Sequence, residues 1–121
     1  MAYASAVALT VVPLTRNGVS SDETMVAATA THGNKFLNDG RTFLRVINGD
    51  ASPITATVYV ERTIDDLVLP DLEVTIAATA DEDGLDDLLI GPFTTNFQQT
   101  DGYVWVTFSA VTSVTVGAFR I

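Results

Sequence analysis

Apolar and polar residues alternate one by one along much of this chain, the period of a pleated strand with one dry face and one wet face. In residues 53–61, PITATVYVE, the side chains of Ile54, Ala56, Val58 and Val60 fall on one side, and those of Thr55, Thr57, Tyr59 and Glu61 on the other. Residues 71–79 repeat the pattern, with Leu72, Val74, Ile76 and Ala78 opposing Asp71, Glu73, Thr75 and Thr79. The same reading predicts strands over 6–14, 24–31, 41–48, 102–110 and 113–121, and a weaker one over 86–93. Threonine and valine recur throughout, and β-branched side chains suit a pleated surface. A single wet face per strand is the mark of antiparallel sheets.

Turn chemistry separates these runs. Residues 16–22 (RNGVSSD), 38–40 (NDG), 48–53 (NGDASP) and 100–102 (TDG) each set asparagine or aspartate before glycine, residues that accept the positive φ of tight connections. Pro53 and Pro70 stand at strand starts, where a missing amide donor does least harm. In residues 81–90, DEDGLDDLLI, the spacing of Leu85, Leu88 and Leu89 predicts one helical turn, confined by Gly84 and by Gly91-Pro92. Residues 32–49, HGNKFLNDGRTFLRVING, read as a hairpin. A strand at NKFL, a tight NDG turn and a strand at RTFLRVIN follow one another, with Phe36, Phe43, Leu44, Val46 and Ile47 as core. The expectation is an all-β fold, an antiparallel two-sheet β-sandwich of about eight strands, jelly-roll-like, in one domain over 1–121. Residues 1–24 are expected to include a partly extended N-terminal arm able to order on binding.

Composition narrows the functional classes. The chain has 121 residues, enough for one core. Its apolar runs, such as AVAL and TVVPL, fall far short of the ~20 residues of a membrane span. The first residues lack a basic stretch of the signal-peptide kind, so the chain is expected to be made in a cytoplasm. It has no cysteine, which removes disulfide scaffolds, thiolate metal sites and cysteine nucleophiles. The net charge is −9, and ten of the fifteen acidic residues lie between Glu61 and Asp87 with only Arg62 among them. Such a field repels phosphate backbones, and no nucleic-acid partner is expected.

No catalytic set emerges. His32 is the one histidine, and no G-x-S-x-G elbow exists to present a serine to it. Glycine patterns for phosphate binding are absent, and no cofactor is expected. Asp81, Asp83 and Asp87 are the calcium candidates; with Gly84 as the sixth position of a calcium loop, however, Thr79 and Ile90 stand where carboxylates are needed. The adjacent pairs Asp65-Asp66 and Asp86-Asp87 do not converge on one bond, because neighbours on a strand point to opposite faces. Tyr103 and Trp105 share one strand face and are candidates for core, for an interface anchor, or for a glycan platform. Arg41 and Arg45 share a face with Phe43 and are candidates for pairing with Asp39, Asp50 or Glu61, within the subunit or across to the next.

Three segments resemble a family of small tailed-bacteriophage virion proteins usually encoded near the major capsid protein. They are residues 32–49, residues 88–93 (LLIGPF) and residues 106–121 (VTFSAVTSVTVGAFRI), roughly a third of the chain, and NDGRTFL within the first is the most specific. The resemblance implies a capsid decoration (cement) protein on the head exterior, a homotrimer of β-sandwich subunits that partners the major capsid protein and has no enzymatic role. The reading from a different class is a virion-surface module that binds a carbohydrate or a receptor through Tyr103 and Trp105.

Overall fold

The computed structural model describes residues 5–20, 25–60, 63–68, 70–99 and 101–121. It is a β-sandwich of two mixed, mainly antiparallel sheets. In chain order the strands are β1 (Val7–Ala8), β2 (Val11–Pro13), β3 (Val26–Ala27), β4 (Asn34–Leu37), β5 (Thr42–Asn48), β6 (Ile54–Val58), β7 (Thr63–Ile64), β8 (Leu67–Val68), β9 (Leu72–Ile76), β10 (Asp87–Ile90), β11 (Tyr103–Phe108) and β12 (Val114–Arg120). The first sheet runs β1-β4-β11-β6-β9, and the second runs β10-β5-β12-β2, with β3 also paired to β12. The β7–β8 pair stands apart as a two-stranded hairpin. From β3 onward the chain changes sheet at each step except between β6 and β9, which pair directly.

Alternation explains the core. Leu44 and Val46 of β5, Ile54, Ala56 and Val58 of β6, Val104 and Val106 of β11, and Val114, Val116 and Ala118 of β12 are all buried between the sheets. Phe36 and Phe93 meet there at 5.5 Å between ring centroids. Each such side chain larger than alanine contributes about 1.5–3 kcal/mol by leaving water.

Four expectations need correction. Residues 32–49 do not form a hairpin: β4 lies in the first sheet and β5 in the second, so Asn38-Asp39-Gly40 is a corner between layers. The reason is that both strands bring a buried row, Asn34/Phe36 and Leu44/Val46, to opposite walls of one core. Phe43 and Ile47 are therefore only half-buried, on the outer face of the second sheet, where Phe43 stacks on Phe119 at 5.9 Å. The strand predicted over 6–14 breaks at Leu9-Thr10, because β1 pairs parallel with β4 while β2 pairs parallel with β12 in the other sheet. Residues 81–86 make turns and no helix: Leu85 is exposed in a turn, and Leu88 and Leu89 belong to β10, which buries Ile90 and half-buries Leu88. The break in 6–14 and the β7–β8 hairpin, which no expected strand covers, bring the strands among the described residues to twelve.

Candidate functional site

The stretch 32–49 carries three asparagines at core-facing positions, and each holds a loop. Asn34 donates from Nδ2 to the Val7 carbonyl (3.3 Å) and to Thr29 Oγ1 (3.2 Å), and its Oδ1 accepts the Thr29 N–H (3.0 Å). Asn38 donates to the carbonyl of Phe93 (3.1 Å) and accepts from Gly40 N (3.1 Å). Asn48 donates to the carbonyls of Ser52 (2.9 Å) and Ala77 (3.0 Å) and accepts from Asp50 N (3.0 Å). All three are buried. These amides were not singled out by sequence, although each continues the alternation of a core-facing row at the end of a strand.

The charged candidates are distributed. Arg45 makes a two-point ion pair with Asp87, Nε to Oδ1 at 3.0 Å and an Nη to Oδ2 at 2.7 Å, across the β5–β10 ladder. Among the described residues the partner is Asp87 and not Asp39 or Asp50, and Glu61 lies outside the described residues. Asp39 faces Arg120 at 3.7 Å and accepts from Arg41 N (3.0 Å) and Thr42 Oγ1 (3.2 Å). The backbone hydrogen bond from Arg41, ahead of the Thr42 hydroxyl and the Arg120 charge, holds the Asp39 carboxyl below the usual carboxylate range. Arg41 is exposed and has no ion-pair partner among the described residues.

Asp81 turns its carboxylate inward to the N–H groups of Asp83 and Leu85, both at 3.2 Å. With Asp87 engaged by Arg45, the calcium candidates do not form a ligand set, and no metal-holding group of three occurs among the described residues. His32 contributes its backbone: its carbonyl accepts the Trp105 indole N–H at 2.7 Å.

The outer face of the first sheet carries the aromatic residues. Tyr103 and Trp105 are half-buried there, with Lys35 and Leu37 on the neighbouring β4 in register opposite Trp105 and Tyr103. Trp105 stacks on Tyr59 at 4.1 Å with 22° between the rings, and Tyr59 Oη hydrogen-bonds Thr107 Oγ1 at 2.9 Å. The Lys35 ammonium lies 5.4 Å from the Tyr103 ring centroid. Next to this row a groove of about 440 Å³ opens at the end of the sandwich, walled by Leu9, Val11, Leu37 and Tyr103, with Asp39 and Arg120 at its rim. Leu37 is 54% exposed at its mouth. The geometry offers rings, an aliphatic hollow and a flanking ion pair, which suits contact with another surface.

No protein-family model, curated protein or solved structure matches the chain.

Proposed function

We propose that this chain is a structural subunit that acts by surface contact, a decoration or cement protein seated on the outside of a tailed-phage capsid lattice and partnered by the major capsid protein. The observation that carries the reading is the aromatic row beside the groove. Tyr103, Trp105 and Tyr59 are half-buried with Leu37 exposed next to them, the mixture in which interface anchors concentrate. The buried asparagines support it from the other side, because their polar groups are consumed in holding loops. A glycan platform is disfavoured: Tyr59 covers one face of Trp105 and Lys35 sits over Tyr103, the surfaces on which a pyranose would stack. The strong net negative charge suits the outer face of a DNA-filled shell better than its interior.

Co-sedimentation tests this directly. Purified chain mixed with expanded heads that lack it is expected to pellet with them to a saturating ratio, and to raise their resistance to heat and shear. Heads that neither bind the chain nor gain resistance would remove the proposal.

A further inference from the structure

The dipeptide Asn-Gly occurs twice in the chain, at 17–18 and at 48–49, and the fold treats the two in opposite ways. Their intrinsic chemistry is the same. The backbone nitrogen of the glycine can attack the side-chain carbonyl carbon of the asparagine and close a cyclic imide, and glycine, having no Cβ, hinders that approach least. Hydrogen bonds that hold the amide and the nitrogen oppose the reaction, as does packing that fixes the backbone between them.

Asn48-Gly49 is held at every point. Asn48 has no exposed surface, its Nδ2 is committed to the carbonyls of Ser52 and Ala77, and its Oδ1 accepts the Asp50 N–H. The Gly49 N–H donates to the Ser113 carbonyl at 2.9 Å, and a Cβ on Gly49 would lie 2.8 Å from the same oxygen. Ring closure there requires the end of β5 to leave the sandwich, an opening close to global unfolding.

Asn17-Gly18 has none of this support. Residues 13–18 are all exposed, Gly18 has φ +91°, and the position its Cβ would take is empty to 4 Å. The turn is closed only by its own members: the Gly18 N–H donates to the Thr15 carbonyl at 3.1 Å, and Thr15 Oγ1 donates to the Gly18 carbonyl at 3.2 Å. The Asn17 amide has no hydrogen-bond partner among the described residues. A solvent-exposed bond inside one turn opens without disturbing the sheets.

We propose that Asn17 is a site of spontaneous modification in the folded protein, deamidating through the cyclic imide, while the fold keeps Asn48 intact. The Gly18 nitrogen bonds to the Asn17 side-chain carbonyl carbon, the bond from that carbon to the amide nitrogen breaks, and the departing nitrogen takes up the Gly18 proton and leaves as ammonia. Water then opens the imide at either carbonyl and leaves aspartate or isoaspartate at position 17. The product is one charge more negative than −9. Isoaspartate adds a methylene to the backbone, but in a turn whose residues are all exposed, so the modified chain keeps its fold and carries a record of its age beside Arg16. The inference is independent of the capsid reading.

The purified full chain is held folded at mildly alkaline pH, and fragments of a protease digest are sequenced by mass spectrometry. A gain of one mass unit is expected at residue 17 at least tenfold faster than at residue 48, with both aspartate and isoaspartate formed. In urea, which releases Asn48, the two rates are expected to agree within about threefold. Equal rates in the folded chain, no gain at residue 17 until urea is added, a residue 48 that stays as slow in urea, or aspartate without isoaspartate would each overturn the proposal.

Discussion

Asn48 sits with no exposed surface at the end of β5 and ties two loops to it through one amide. An amide in that position costs desolvation, and the cost is offset only because donors and acceptor are all used. Asn48→Ala therefore removes three hydrogen bonds and leaves the Ser52 and Ala77 carbonyls without this donor. The expected loss is about 2–4 kcal/mol, read as a lower urea midpoint at unchanged slope. Asp39 acts on a different axis. Its carboxyl titrates below the range of an ordinary aspartate, because the folded state donates to its ionised form. The group binds its proton less readily folded than unfolded, so its contribution is complete above the unfolded value and disappears as pH falls through the lower, folded one. Asp39→Asn is expected to flatten the acid limb of a stability-against-pH curve and to leave its shape above pH ~5 unchanged.

At the scale of elements, backbone proximity sets the tightest constraint. Gly33 has φ +69°, and a Cβ there would land on the Val106 carbonyl oxygen. The same residue's carbonyl accepts the Val7 N–H at 3.1 Å, so the approach of β11 and the seating of β1 depend on one missing side chain. Gly33→Ala is expected to cost about 2–4 kcal/mol, measured as a fall in melting temperature with the β-sheet circular dichroism signal retained below the transition. Much of this architecture was legible in the chain. Alternation in 54–58 marked the buried and wet faces correctly, since a period of two needs only local information. The assignment of strands to sheets was not legible, because a corner and a hairpin use the same Asn-Asp-Gly chemistry and differ only in distant partners. Tyr103 and Trp105 could be placed on one face of β11, whereas Tyr59, the ring that covers Trp105, comes from just past the end of the neighbouring β6. Asn34, Asn38 and Asn48 were hidden by the habit of reading asparagine as turn and surface.

Across the whole molecule the charges are sorted. Arg45 is matched by Asp87 in an exposed pair worth about 0–1 kcal/mol, and Arg120 faces Asp39 where both line the groove. Salt should therefore act on association more than on folding. Raising ionic strength screens the mutual repulsion of chains carrying −9 each. The parallel pairing of β2 with β12 has a different consequence. Val11 reaches its place only beside Ala118, so one segment waits for another made much later in synthesis. Contacts of such long sequence separation slow folding. Until β12 emerges from the ribosome, the nascent chain carries half a sandwich whose second sheet lacks its central partner.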